Sequence, residues 1–157
     1  MKIMIEDIIK KDNTMMRQAY VETLSELARK SPDIVALDSD LMLAMGVLQG
    51  FAKEFPDRAI DCGIMEANMI GVAAGMSSRG KIPFTHTFAP FATRRVCDQV
   101  FVSAAYAKLN VKIVGSDPGI ETALNGGTHM PFEDMGIMRG IPEITAIEMT
   151  DNVMLKN

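Results

Sequence analysis

The stretch from Asp61 to Gly75, which reads D-C-G-I-M-E-A-N-M-I-G-V-A-A-G, constrains the fold of this chain more than any other. A short extended run over 58–62 leads into Gly63, and small and apolar residues then recur at helical spacing. A change from an extended run to a helical repeat across a glycine predicts a strand, a tight turn and a helix. The other predicted elements are placed around this strand–turn–helix unit.

A single charged residue, Glu66, stands in the first turn of that predicted helix. No other residue between Gly63 and Met76 carries a charge. Apolar surroundings favour the neutral form of a carboxyl group, and a neutral carboxyl group can donate a hydrogen bond. An acidic residue at this position is also typical of ordinary helix starts, where it meets the free N–H groups and the positive end of the helix dipole. This stretch by itself leaves both interpretations open.

The composition excludes several classes of protein. Hydrophobic residues make up 48% of the 157 residues and charged residues 23%, which is typical of a globular domain and not of a disordered chain. The net charge of −4 and the lack of a basic stripe argue against nucleic acid as a partner. No apolar run reaches the length of a membrane span. Cys62 and Cys97 have neither metal-binding nor redox spacing, which favours a reducing cytoplasm.

Residues 1–13 are predicted to be a lead-in and residues 14–157 one domain, in which helices and strands alternate. Thr14 is expected to cap a helix over 15–30, and the continuously apolar run 34–37 is typical of a buried parallel strand. The other predicted elements are a helix over 46–55, a strand over 82–87, a helix over about 91–109, a strand over 111–115, a short helix over 132–139 and a last strand over 143–149.

Alternating strands and helices predict an α/β fold, in which a mostly parallel sheet lies between two layers of helices in a three-layer α/β/α arrangement. Ligands of such sheets bind outside the carboxyl ends of the strands. The candidates at those ends are Asp38, Asp40, Glu66 and the segments 87–91 and 117–129. The chain contains no G-x-G-x-x-G or Walker phosphate-binding sequence.

Three blocks of the sequence fall into one family pattern. They read G-I-M-E-A-N-M-I-G-V-A-A-G, T-H-T-F-A-P-F-A-T-R-R and N-G-G-T-H-M-P-F-E-D, and in this order and separation they resemble the pyrimidine-binding domain of transketolases over about 14–151. Deoxyxylulose-phosphate synthase and the beta subunits of 2-oxo acid dehydrogenases share this domain of thiamine diphosphate enzymes. The chain is most similar to the transketolase branch, particularly to the split form whose two halves are separate chains.

The resemblance implies a cofactor role for four residues. Glu66 takes the position of the glutamate that hydrogen-bonds the ring nitrogen of the aminopyrimidine, which favours the imino tautomer that accepts the thiazolium proton. Phe88 and Phe91 match aromatic positions that pack against the pyrimidine, although core burial is their other interpretation. Asp40 matches an acidic position near the cofactor. In this family Mg²⁺ and the diphosphate are held by a separate domain with a G-D-G…N motif, which does not occur here.

The resemblance also implies substrate contacts. Arg17 matches a basic position that meets the substrate phosphate, and His129 matches a histidine that contacts the substrate's oxygens and takes part in catalysis. The substrate-binding position of Asn125 usually holds an aspartate, Ser116 replaces a usual histidine, and Arg94 stands where an aromatic residue often packs on the pyrimidine. Because an amide keeps one acceptor but loses the charge of a carboxylate, the family's sugar preference does not transfer directly.

The implied activity is transfer of two-carbon ketol units between sugar phosphates, in a cytoplasmic enzyme of the pentose phosphate pathway. The implied partners are a transketolase N-terminal half and further copies of the chain, because the family's active site lies between domains of different partners. We therefore expect one module of a larger, oligomeric enzyme. The alternatives are a component of another thiamine diphosphate enzyme and a noncatalytic assembly domain that has kept the fold.

Overall fold

The computed structural model describes residues 12–42 and 46–157, so that most of the predicted lead-in lies outside the described residues. The strands are β1 (Ile34–Asp38), β2 (Ala59–Asp61), β3 (Ile82–Phe88) and β4 (Lys112–Ser116). The α-helices are α1 (Met16–Lys30), α2 (Gln49–Glu54), α3 (Glu66–Ser77), α4 (Ala89–Ala92), α5 (Cys97–Gln99), α6 (Asp134–Arg139) and α7 (Asn152–Lys156). Short 3₁₀-helices lie at Pro56–Arg58, Arg94–Val96 and Ala123–Asn125, and a π-helix spans Val100–Ala105.

The four strands form one sheet in the order β2-β1-β3-β4, and every neighbouring pair is parallel. All five residues of β1 are buried, as the continuously apolar run predicts for a strand that is covered on both faces. The register places Asp38 at the carboxyl end of β1 opposite Asp61 of β2 and His86 of β3. Three polar side chains are therefore brought to one edge of the sheet.

Helices cover both faces of the sheet. Successive residues of a strand point to opposite faces of the sheet, so alternate residues of β1 pack against different helices. Ile34 and Ala36 pack in a hydrophobic cluster with α1 and α2, whereas Val35 and Leu37 pack against α3. The predicted three-layer α/β/α arrangement with a parallel sheet is therefore confirmed.

The first two helices begin differently from the prediction. The N-cap of α1 is Met15, whose side chain makes no capping hydrogen bond, so the predicted Thr14 cap is wrong. The carbonyl of Thr14 instead accepts a hydrogen bond from Asn152 Nδ2 at 2.8 Å, which ties the start of α1 to α7. Helix α2 begins at Gln49 and not at residue 46, because Gly46 has a φ of 68°, outside the helical region.

The predicted continuous helix over 91–109 is also wrong. After α4, Thr93 adopts φ −122° and ψ −82°, and its hydroxyl donates to the carbonyl of Ala89 at 2.7 Å. A threonine side chain that bonds back to the preceding turn competes with the helical ladder. The chain continues through the 3₁₀-helix Arg94–Val96, α5 and the π-helix Val100–Ala105. The two consecutive arginines, Arg94 and Arg95, therefore lie in a 3₁₀-helix and not in the predicted α-helix.

The predicted last strand over 143–149 is not formed. Glu143 has a φ of 68°, which is unfavourable for a residue with a side chain, and residues 144–150 belong to no strand. Ile144 and Ala146 are partly buried against the cluster that contains Val96 and Ile141. These two alternating side chains are thus partly covered without a neighbouring strand, while Ile147 and Met149 are exposed.

Candidate functional site

The carboxyl ends of β1 and β2 are joined by one carboxylate. Asp61 Oδ1 accepts hydrogen bonds from the N–H of Asp40 at 3.0 Å and from the N–H of Gly63 at 2.8 Å. Asp40 has a φ of 62° and Gly63 a φ of 71°, so both turns adopt the left-handed region. Asp61 therefore fixes Asp40 relative to the turn that precedes Glu66. An aspartate just before a glycine turn is a known turn signal, but the sequence reasoning did not single out Asp61.

A buried carboxylate, Asp38, organises the loop after β1. Its Oδ1 accepts hydrogen bonds from the N–H groups of Leu41 and Met42, the latter at 2.9 Å. Its Oδ2 lies 3.2 Å from Nδ1 of His86, and both side chains are almost completely inaccessible to solvent. The charge of Asp38 is thus surrounded by donors from the main chain and from one buried ring.

Three more side chains complete this group, which we call the Asp38 cluster. Ser39 Oγ donates to Thr87 Oγ1 at 2.8 Å, and the ring of Tyr20 stacks on that of His86 at 6.0 Å between centroids. The hydroxyl of Tyr20 is buried and has no hydrogen-bond partner among the described residues. Burial, and to a smaller extent the charge of Asp38, raises the pKa of the Tyr20 phenol above its ordinary value.

Glu66 is the first residue of α3, and its side chain is only 4% exposed. Arg95 Nη1 donates to Glu66 Oε1 at 2.7 Å, and the Arg95 side chain is 43% exposed. The prediction of uncharged surroundings for Glu66 is therefore wrong, because a cation from a later part of the chain reaches it. Such a charge-assisted hydrogen bond is stronger than one between neutral groups.

Three rings lie beside this ion pair. The centroids of Phe88 and Phe91 are 5.9 Å apart, with their planes nearly perpendicular. The ring of His129 lies 5.1 Å from that of Phe88 and 4.9 Å from that of Phe91. The guanidinium carbon of Arg95 lies 3.6 Å from the centroid of Phe91. We call Glu66, Arg95 and these three rings the Glu66 cluster.

The loop after β4 carries His129 and is held by its own hydroxyl groups. Thr122 Oγ1 donates to the carbonyl of His129 at 2.7 Å, and Thr128 Oγ1 lies 2.9 Å from His129 Nδ1. Asn125 ends the 3₁₀-helix Ala123–Asn125 and is exposed. Its side chain makes no hydrogen bond within the part of the chain that is described, so the structure does not place it in the Glu66 cluster.

Arg17 reaches the same loop from α1. Its Nη2 lies 3.4 Å from Oδ1 of Asp117, the residue that follows β4 and has a φ of 55°. The hydroxyl of Ser116 is buried and has no partner in residues 12–42 or 46–157. Arg17 is thus held at the residue that follows the last strand, and it makes no contact with the Glu66–Arg95 pair among the described hydrogen bonds and ion pairs.

Arg94 turns away from the Glu66 cluster. It donates to Glu133 Oε1 at 2.7 Å and to the carbonyl of Thr128 at 3.2 Å. The N–H of Phe132 holds the pKa of Glu133 below its ordinary value, and Arg94 adds to this effect. Arg94 therefore supports the His129 loop, and its guanidinium does not replace an aromatic ring at the site.

Across residues 12–42 and 46–157, no group of three or more His, Cys, Asp or Glu side chains is arranged to hold a metal ion. Within the same ranges, no helix is both long and apolar enough to cross a membrane.

Comparison with known proteins identifies the family. Residues 12–157 match the family described as the transketolase pyrimidine-binding domain. The chain belongs to this family. It is 57% identical over 148 residues to the 6-deoxy-6-sulfo-D-fructose transketolase subunit SqwH of Clostridium sp. (strain MSTE9), which covers 94% of the chain and 46% of that protein. It is 44% identical to a putative transketolase C-terminal section of Methanocaldococcus jannaschii, over 90% of the chain and 45% of that protein.

Solved structures of transketolases have the same fold. A split-gene transketolase, described as an inactive beta4 tetramer, superposes with a TM-score of 0.78 at 40% identity and covers 90% of the chain and 45% of its own. Transketolase from Leishmania mexicana superposes with a TM-score of 0.79 at 24% identity, over 89% of the chain and 22% of that protein, which bears on the fold alone. The chain spans less than half the length of the relatives named here.

Proposed function

We propose that this chain is the pyrimidine-binding part of a split transketolase, which transfers two-carbon ketol units between sugars with thiamine diphosphate. One observation carries the proposal. In a chain of this family, the buried carboxylate of Glu66 and the ring of Phe91 are close enough for one planar, nitrogen-rich group, the guanidinium of Arg95, to contact both. A site with this spacing fits an aminopyrimidine ring.

The Glu66 cluster supplies binding, orientation and proton transfer. Glu66 hydrogen-bonds the ring nitrogen of the pyrimidine and holds or releases a proton there, while Phe88 and Phe91 pack against the ring. Asp40, which Asp61 holds in place, lies near the cofactor. Thiamine diphosphate itself, when bound, supplies the reactive carbon. The diphosphate and Mg²⁺ belong to the partner half, because Mg²⁺ is held by carboxylates together with phosphates.

The substrate is proposed to meet three residues. His129 contacts the oxygens of the sugar and takes part in catalysis, and its ring is positioned by Phe88 and Phe91. Arg17 binds the terminal anion of the sugar, for which its long contact with Asp117 must loosen. Asn125 hydrogen-bonds a sugar hydroxyl with its amide.

The identity of the donor sugar is a separate proposal. The Clostridium relative, at 57% identity, is named for 6-deoxy-6-sulfo-D-fructose. A sulfonate carries one negative charge, and Arg17 offers one cation, which would leave its long contact with Asp117 to bind it. We propose that a sulfonated ketose is a donor alongside phosphorylated ketoses. Comparison of kcat/KM for the 6-sulfo and 6-phospho ketoses in the same enzyme tests this, and a rate with the phosphate alone contradicts it.

The partner is proposed to be a transketolase N-terminal-section subunit, in a cytoplasmic oligomer that serves the pentose phosphate pathway. The tetramer described for the split-gene relative supports self-assembly of such subunits. We also propose that residues 14–157 form one domain and residues 1–13 a lead-in.

The decisive experiment combines the full-length subunit with a transketolase N-terminal-section subunit from the same genome. Ketol transfer is expected only when both subunits, thiamine diphosphate and Mg²⁺ are present. The subunit alone should show no turnover and weak cofactor binding by calorimetry, because the diphosphate ligands lie on the partner. Micromolar binding to the subunit alone, or no turnover by the complete pair, contradicts the proposal, and the second result favours a noncatalytic assembly domain.

A further inference from the structure

Arg95 makes two contacts that no other described arginine combines. Its Nη1 donates to the buried carboxylate of Glu66 at 2.7 Å. Its guanidinium lies over the ring of Phe91, with the central carbon 3.6 Å from the ring centroid. These two groups, the acid and the aromatic ring, are the ones that the proposed function assigns to the pyrimidine of the cofactor.

The chemistry of the guanidinium matches that of the pyrimidine. A guanidinium is planar, donates N–H bonds to carboxylates and stacks on aromatic faces. A protonated aminopyrimidine is likewise planar, shares its charge between ring and amino nitrogens and presents an N–H donor at its edge. Either the guanidinium or the pyrimidine can donate a hydrogen bond to Glu66 and stack on Phe91, but both cannot do so at the same time.

We propose that Arg95 is a placeholder for the cofactor: its guanidinium occupies the pyrimidine position in the cofactor-free chain and is displaced when thiamine diphosphate binds. The inference rests on the proposed function and adds a residue that the family resemblance did not assign. In the cofactor-free chain, Arg95 neutralises a buried acid that would otherwise lack a partner. Thiamine diphosphate then binds by exchange, and its net affinity is lowered by the contacts that Arg95 gives up.

The surroundings of Arg95 allow it to leave. Its side chain is 43% exposed, and the bond to Glu66 is its only side-chain hydrogen bond among the described residues. Arg94, one residue earlier, is held by two acceptors, Glu133 and the carbonyl of Thr128. Arg95 can therefore turn to solvent by giving up only its contacts with Glu66 and the Phe91 ring, whereas Arg94 supports the neighbouring loop.

The test uses the complete enzyme, assembled from the full-length subunit and its N-terminal-section partner. Arg95→Met removes the charge and keeps an apolar side chain. The apparent Kd for thiamine diphosphate, measured at fixed Mg²⁺, is expected to fall by about two- to fivefold or more, the equivalent of one exposed cation–π contact. The cofactor should also raise the Tm of the variant more than that of the wild type, because the variant's Glu66 is unpaired until the cofactor arrives.

Arg58→Met is the matched control. Arg58 also stacks on a phenylalanine, with its guanidinium carbon 4.1 Å from the centroid of Phe55, and donates to the carbonyls of Ala28 and Ser31. It lies outside the Glu66 cluster, so the same substitution should lower stability and leave the apparent Kd for thiamine diphosphate unchanged.

A second measurement needs no variant and covers the case in which Arg95→Met does not fold. Side-chain NMR of wild-type enzyme with ¹⁵N-labelled arginine is expected to show the Arg95 signal moving toward that of a free arginine as thiamine diphosphate is added. An unchanged or higher Kd in Arg95→Met, or an Arg95 signal that keeps its position with cofactor bound, overturns the inference. If the wild-type enzyme turns over but either of these results is found, only the inference about Arg95 is contradicted and the proposed function stands. If the wild type binds no cofactor, the proposed function itself fails.

Discussion

Two clusters at the carboxyl edge of the sheet each centre on a buried carboxylate, and they differ in the groups that donate hydrogen bonds to it. In the Asp38 cluster, main-chain N–H groups of Leu41 and Met42 and the buried ring of His86 surround the acid. In the Glu66 cluster, one half-exposed side chain, Arg95, provides the partner. The first arrangement cannot open without moving the backbone, whereas the second opens by rotation of one side chain.

The difference separates a structural acid from an acid available to a ligand. A carboxylate bonded by the main chain fixes the loop that bonds it, so Asp38 holds the loop that carries Asp40. A carboxylate bonded by a mobile arginine can exchange that partner for another donor. Burial alone does not distinguish the two residues, since both are almost inaccessible to solvent.

The strongest test of this comparison is Glu66→Gln. The amide keeps the size of the side chain but cannot transfer a proton, so kcat of the assembled enzyme should fall by about 10²- to 10⁴-fold. Exchange of the thiazolium C2 proton, followed by NMR, should slow in parallel while the circular dichroism spectrum stays unchanged. If Glu66 is only a helix-start residue, the change should instead cost about 0.3–1 kcal/mol of stability and leave C2 exchange at the wild-type rate.

Asp38→Ala should lower the stability of the subunit, in contrast to Glu66→Gln, which should lower kcat. It leaves the N–H groups of Leu41 and Met42 and the His86 ring without their acceptor, so the free energy of unfolding should fall by about 2–3 kcal/mol. Urea denaturation of the purified subunit measures this. Asp38→Asn, which keeps one acceptor oxygen, is the control and should lose less. A stable Asp38→Ala variant with a large loss of kcat would contradict the structural role.

The rings of the Glu66 cluster should affect cofactor binding more than folding. Phe91→Ala removes an aromatic contact worth about 0.5–1.5 kcal/mol beyond its buried area, so the apparent cofactor constant should rise several-fold. Phe88→Ala should act in the same direction. Titration of the assembled enzyme with thiamine diphosphate measures both. A well-folded variant with the wild-type constant would show that the ring belongs only to the core.

The smallest expected effect concerns Tyr20 in the Asp38 cluster. Tyr20→Phe removes a buried hydroxyl without a partner and should raise the free energy of unfolding by up to about 1 kcal/mol at neutral pH. Because burial raises the pKa of the folded phenol, the unfolded chain ionises first, near pH 10. Stability of the wild type should therefore fall as pH rises above about 10, and Tyr20→Phe should lose this part of the fall. Tyr106→Phe, at an exposed position, is the control and should keep it.

The elements that the sequence predicts correctly are those with a strong local pattern. The apolar run of β1, the helix of α1 and the glycine turn before α3 depend on residues close together in the chain, and each lies within a few residues of its predicted place. The helix over 91–109 failed because its apolar spacing is helical while Thr93 breaks the ladder. The prediction of a strand over 143–149 failed because its alternating residues Ile144 and Ala146 are partly buried against the cluster that contains Val96 and Ile141, with no strand pairing.

The candidate site likewise contains residues that the sequence located and one contact that only the tertiary structure shows. The sequence places Glu66, Phe88, Phe91 and His129 after the carboxyl ends of predicted strands, and these ends lie at one edge because the strands of a parallel sheet run in one direction. Only the tertiary structure decided what Glu66 meets. Arg95 lies 29 residues further along the chain, in the 3₁₀-helix that follows the break at Thr93. An ion pair of this kind leaves no periodic signal in a sequence, because it arises from the packing of distant segments and not from the spacing of neighbours.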